Sequence, residues 1–191
     1  MVKVLILPGS ARRDSFNKKL AAIAAKAVTD AGASADLIDP AEYRLPLFDQ
    51  DLEEAEGLPA PAKALKEKFL ASDAVLFVSP EYNSSITPLL KNIIDWVSRT
   101  ESDSEPSLSA YRGKVAALLS ASPGAFGGLR GLVHLRSILG NIGVVVTPKQ
   151  FCLGSAFAKF NDDGSLKDEN DTKGVTAVVK DLLATTAKLK S

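Results

Sequence analysis

The stretch VKVLILPGSARRDSFNKKLAAIAAKAVTDAG, residues 2–32, decides how this chain folds. Val2 to Leu7 is a nearly unbroken apolar run, the pattern of a strand buried on both faces. From Phe16 to Ala31 the spacing changes to the helical period, with Leu20, Ile23, Ala24, Ala27 and Val28 on one side, and Gly32 supplies the stop. Between them lies a polar loop, Gly9 to Asn17. Strand, polar loop and helix in that order form the opening unit of a parallel α/β sheet.

Outward from this unit the pattern recurs. Ala35–Asp39, Ala74–Val78, Val115–Leu119 and Gly143–Val146 read as further strands, rich in apolar or β-branched residues. Helices are expected over Ala62–Ala71, from Thr87-Pro88 to about Arg99, over Gly127–Asn141 and over Lys173–Lys188. Thr87 suits the cap and Pro88 the first helical position. Pro40–Pro61 and the serine-rich, acidic Thr100–Arg112 read as surface loops, the second of them mobile. Apolar strands alternating with helices predict one parallel sheet covered on both faces. There is no repeat or boundary, so residues 1–191 read as a single domain.

Composition narrows the function classes. Lysine plus arginine and aspartate plus glutamate number 23 each, so no global field recruits nucleic acid or an anionic membrane. The apolar N-terminal run is too short for a signal-peptide core, and no stretch reaches the roughly 20 apolar residues of a membrane-spanning helix. A cytoplasmic protein acting on small molecules is expected. Cys152 and His134 are the single cysteine and histidine, which excludes an internal disulfide and argues against a zinc site. Cys152 reads as a buried inert thiol and His134 as a surface or interface residue.

In an open parallel sheet, ligands bind beyond the carboxyl ends of the strands. Three loops there are unusual. GSARRDSFN, Gly9 to Asn17, runs into a helix N-terminus that favours a phosphate, with Ser10, Ser15 and Asn17 as donors and Arg12 as a charge. The same residues would equally describe a serine cap flanked by solvated arginines. The loop has neither the G-x-G-x-x-G of a dinucleotide site nor a P-loop, so a terminal monophosphate fits it better. Asp39 then reads as a turn residue rather than a ribose ligand. SPEYNSSITP, Ser79 to Pro88, offers polar groups and one aromatic ring to a flat heteroaromatic ligand, or forms a plain turn and cap. SASPGAFGG, Ser120 to Gly128, has glycines that permit close backbone approach, or simply a tight connection.

Together the segments GSARRDSFNKKL, PEYNSSITPLLKNIIDWVSR and SASPGAFGGLRGLVHLRSILGNIGVVVTP closely resemble the NADPH-dependent FMN reductase family, which includes quinone, azo-dye and chromate reductases. The resemblance spans nearly the whole chain. It implies a flavodoxin-like three-layer sandwich, α/β, with a five-stranded parallel sheet in the order 2-1-3-4-5. By position it implies that Ser10, Arg12, Ser15, Phe16 and Asn17 hold the FMN phosphate and that Pro80, Glu81, Tyr82 and Asn83 lie along the isoalloxazine. Ser120, Ser122 and Gly124 would close its other edge. Leu89 departs from the family, where glycine often follows the proline, and that bears on helix packing or a subunit contact.

The implied activity is ping-pong. NADPH or NADH gives a hydride to flavin N5, and quinones, azo dyes, chromate, nitroaromatics or ferric chelates take up the electrons. No side chain is assigned as a catalytic acid or base, because the cofactor carries the chemistry. The family's dimers and tetramers imply a homo-oligomer, with Trp96 either at an interface or in the core. The alternatives are a flavodoxin-type electron carrier, which the even charge balance disfavours, and a regulatory protein with an empty pocket. Arg99 and Arg112 read as solvated or interface arginines rather than as ligands of a nicotinamide 2′-phosphate.

Overall fold

Every apolar run becomes a strand of one parallel sheet in the computed structural model, which describes residues 1–190. The elements are β1 (Lys3–Pro8), α1 (Phe16–Asp30), β2 (Ser34–Leu37), α2 (Gln50–Glu56), α3 (Ala60–Leu70), β3 (Ala74–Val78), α4 (Pro88–Val97), β4 (Val115–Ala121), α5 (Leu129–Asn141), β5 (Val145–Leu153) and α6 (Glu169–Lys190). The strand order is β2-β1-β3-β4-β5, the flavodoxin-like order expected. All four pairings are parallel, with Val4 opposite Ala35 and Ala74, and Ala74 opposite Val115. Among the described residues no helix is long and apolar enough to cross a membrane.

Successive side chains on a strand point to opposite faces, so the continuous apolar runs fill two cores. Val4, Ile6, Leu76, Val78, Ala117 and Leu119 pack with Leu20 and Val28 of α1 and Val178 and Leu182 of α6. Their neighbours Leu5, Leu7, Val75, Phe77, Ala116 and Leu118 pack with α3, α4 and α5. Trp96 lies in the interior of this chain, fully buried, with its indole N–H donating to Pro46 O at 2.9 Å. Leu89 is partly buried against the same core, so it serves helix packing within the subunit.

Three expectations need correction. The segment from Pro40 to Pro61 is not a plain loop. It contains a short 3-10 turn at Pro40–Glu42 and all of α2, and it docks on α4 through Phe48, whose ring meets Trp96 edge-on at 4.9 Å. Asp39 is the turn residue expected: it caps Ala41 N at 3.0 Å and pairs with Lys18 at 2.7 Å. The segment Thr100–Arg112 is anchored rather than solvent-borne. Ala110 and Tyr111 are buried, and the fully buried Lys66 ammonium reaches Glu105 at 2.6 Å and Arg99 O at 2.7 Å. Burial alone would raise the Glu105 carboxyl, but its bonds from Lys66, Ser109 and the Glu101 amide prevail and hold it at about 2.

The last strand is the third correction. It runs to Leu153 instead of ending at Val146, because the pairing with β4 shifts between Ala116 and Leu118 and resumes at Gln150. Pro148 cannot donate to a ladder and is tolerated here because β5 is an edge strand with a bulge. Arg136 of α5 braces the bulge, donating to Val146 O at 3.2 Å and Thr147 O at 2.9 Å. A longer β5 carries a fourth loop, beginning at Gly154, to the carboxyl edge of the sheet.

Candidate functional site

The order of the sheet reverses between β1 and β3, and the loops leaving these strands and β4 enclose a cleft of about 440 Å³. Its walls include Ser10, Arg12, Ser15, Phe16 and Asn17 from the first loop and α1, Pro80, Glu81 and Tyr82 from the second, and Ser122 from the third. Thus three segments singled out in the sequence converge on one crevice. Asn83, Ser120 and Gly124 are not on its wall. Asn83 and Ser84 take left-handed backbone conformations (φ 50° and 64°) at the tip of a hairpin closed by two hydrogen bonds between Tyr82 and Ser85. Ser120 is fully buried, its hydroxyl without a partner in the described structure. Gly124 shapes the third loop, its amide donating to Ser122 Oγ at 3.2 Å.

The start of α1 is the most informative part. Ser15 stands at the cap position with extended backbone, yet its side chain makes no capping bond. Reading this serine as a mere helix cap is therefore wrong, and the first-turn amides keep their donors without a side-chain partner. Ser10 and Ser15, both buried residues, line the same cleft together with Arg12. Partial positive charge from the amides and a fixed guanidinium give this end of the cleft the donors and charge that an anion would require. By contrast, α4 is capped in the ordinary way: Thr87 Oγ1 accepts from Leu90 N at 3.1 Å and donates to Gly9 O at 2.7 Å.

Asn17 has a prior duty. Its amide nitrogen donates to Ala121 O at 2.8 Å and its oxygen accepts from Ala121 N at 2.9 Å, so one side chain sutures the first turn of α1 to the end of β4. The second loop is fixed from the other side. The Glu81 carboxylate accepts from Gly131 N at 3.0 Å in the first turn of α5, which Gly128 opens without a side-chain cap. His134 lies on the exposed surface of α5 and reaches Ser85 Oγ at 3.0 Å, which matches a surface role. Tyr82 lines the cleft and is half exposed.

Sequence reading missed Asp14, Lys19, Ala121, Pro123 and Phe157 on the wall. Phe157 belongs to the fourth loop, and its ring meets Phe16 edge-on at 5.0 Å. The apolar Phe151-Cys152-Leu153 run was the available signal for a longer last strand. Cys152 lies in that strand, half-buried. Burial and, after it, the Glu81 charge push its thiol up to about 11. Thiolate is the reactive form, so a disulfide reagent at pH 8 should label Cys152 in the native protein far more slowly than in urea. Equal rates would mean that the strand leaves the sulfur open.

The chain is similar to known proteins over almost its whole length. The family model for NADPH-dependent FMN reductase matches residues 2–158. An NAD(P)H:quinone oxidoreductase from Solanum tuberosum is 36% identical over 195 residues, covering 100% of this chain and 95% of that protein. An NAD(P)H-dependent FMN reductase from Pseudomonas aeruginosa is 37% identical over 169 residues, covering 88% of this chain and 86% of the relative. Among solved structures, the flavoenzyme NAD(P)H:(acceptor) oxidoreductase from Paracoccus denitrificans superposes with a TM-score of 0.84 at 29% identity, with 98% of each chain covered.

Proposed function

The chain belongs to the NADPH-dependent FMN reductase family, and from that premise we propose that it carries FMN in the cleft and uses NAD(P)H to reduce quinones and similar small acceptors. The observation that carries this reading is the uncapped first turn of α1 at a cleft of about 440 Å³ that Ser10, Ser15 and Arg12 also line. That volume lies within the range of small-molecule sites. A phosphate monoester fits the donor set, and the Tyr82 ring offers a flat partner to a heteroaromatic system.

In this reading Ser10, Arg12, Ser15 and the amides of Phe16 and Asn17 hold the phosphate end. Pro80, Glu81, Tyr82 and Ser122 line the ring, while Asn83, Ser120 and Gly124 shape the loops behind it. Held by these residues, FMN would supply the redox chemistry, as the hydride acceptor for NAD(P)H at N5 and the electron donor to the acceptor in a ping-pong cycle. The protein's part is to orient and to exclude water. Glu81 keeps its loop seated on α5, Asn17 keeps the anion end aligned with β4, and the aromatic groups of Phe16 and Phe157 shield the cleft wall.

Other acceptors in reach of an open cleft are azo dyes, chromate, nitroaromatics and ferric chelates. The working form is a cytoplasmic homodimer or homotetramer, and the exposed Leu129 and Val133 on α5 support a subunit contact there. The test is anaerobic. FMN-loaded protein mixed with NADPH or NADH should bleach within seconds and regain its yellow colour on adding a quinone. A flavin that stays oxidised would instead describe an electron carrier.

A further inference from the structure

We infer that Lys19 is the second cation of the phosphate-monoester site in the cleft and gives it its preference for phosphorylated over unphosphorylated ligands. The inference rests on the proposed cofactor reading and extends it to a residue outside the motif. Two cationic side chains line the cleft, Arg12 and Lys19, and neither has a carboxylate partner within ion-pair distance among the described residues. Nearby lysines on the same helix are neutralised: Lys18 pairs with Asp39 and Lys26 with Asp30, both at 2.7 Å.

Charge balance calls for this second cation. A phosphate monoester carries about −1.5 to −2 at neutral pH. One helix N-terminus contributes about +0.5, and Arg12 contributes one unit, which leaves a dianion incompletely matched. Two carboxylates also line the cleft. Glu81 is engaged at the start of α5, and the exposed Asp14 adds to the negative side of the balance. Lys19 adds one positive unit toward that balance.

The side chain is also held in place. The ammonium of Lys19 lies 5.7 Å from the centroid of Phe160, within the reach of a cation–π contact. Phe160 is nearly buried and stacks on Phe16 at 5.9 Å, and Phe16 in turn packs on Phe157 at the cleft wall. This aromatic group holds the ammonium against Phe160 instead of free in solvent, which lowers the ordering cost when an anion arrives. A cation–π contact is weak enough at an exposed site for the charge to move onto a phosphate.

Two phosphates share this chemistry: the 5′-phosphate of FMN and the 2′-phosphate of NADPH. The experiment compares FMN with riboflavin by calorimetric titration, and NADPH with NADH by KM, in the parent protein, Lys19→Met and Lys19→Arg. Lys19 is exposed on a helix surface, so Met preserves the stem and the fold. Loss of a charge-assisted bond should weaken FMN binding about tenfold, leave riboflavin binding unchanged and be largely restored by Arg. That result assigns the flavin phosphate. A comparable rise in the NADPH KM alone assigns the nicotinamide phosphate. If neither ratio moves while the parent prefers FMN over riboflavin, the inference is overturned and the cofactor reading stands. If the parent binds no flavin, both fall. A merely structural role would weaken FMN and riboflavin together, and that too overturns it.

Discussion

Replacing Gly127 with alanine should destabilise the protein by about 3 kcal/mol and abolish FMN retention, by combining overpacking with a left-handed backbone. Gly127 has φ +60°, and a Cβ there would lie 2.7–2.8 Å from backbone atoms of Cys152, Leu153 and Gly154. These are the last residues of β5 and the first of the fourth loop. They have little room to retreat, because Ser122 N donates to Leu153 O at 3.0 Å and Ser155 N to Gly124 O at 3.2 Å. The loop must therefore lift away from the strand end, taking Ser122 with it. Gly124→Ala is the internal control. Its Cβ would meet only Ser122 Oγ, at 3.7 Å, and its φ is not in the left-handed range. That variant should stay within about 0.5 kcal/mol of the parent. Urea midpoints and flavin content after gel filtration separate the two, and equal behaviour would show that the packing of Gly127 does not govern this loop.

Asn17→Leu should cost a similar amount, about 3 kcal/mol, for a different reason. Leucine keeps the γ-branched shape of asparagine, though it is larger, and leaves both the N–H and the C=O of Ala121 without their bonds at 2.9 and 2.8 Å, in a buried setting. Each orphaned group costs about 1–3 kcal/mol. Cofactor affinity should fall beyond the stability loss, because the suture is what aligns the start of α1 with the third loop. Asn17→Asp restores the acceptor for Ala121 N but turns a carboxylate oxygen toward Ala121 O, so it should recover only part of the loss at neutral pH. Denaturant titration and FMN calorimetry on the two variants give the comparison. A leucine variant as stable as the parent would mean that Ala121 finds water or another partner.

Much of the architecture was legible in the chain because buried parallel strands carry a strong local signature. Val4–Leu7, Ala74–Val78 and Val115–Leu119 are apolar at every position, since both faces of the sheet are covered. The helix opened by Thr87 and Pro88 was equally plain, as both residues act within one turn of where they stand. The full length of β5 is not legible locally because Pro148 interrupts it, and only pairing with β4 shows that the strand resumes beyond the bulge. The helix inside the Pro40–Pro61 segment is short and acidic, with no buried residue of its own, so it lacks the periodicity by which helices are recognised.

The order of residues by itself determined the class of sheet, the three polar loops that follow its strands, and the resemblance those loops carry, because each depends on neighbours in sequence. Tertiary structure alone decided what the side chains do. Asn17 clasps a backbone 104 residues away, Glu81 reaches 50 residues to the start of α5, and Phe157 enters the cleft wall against Phe16. The physical reason is that a hydrogen bond or a ring contact is set by distances of a few ångströms, and separation along the chain says nothing about these until the sheet has ordered its strands.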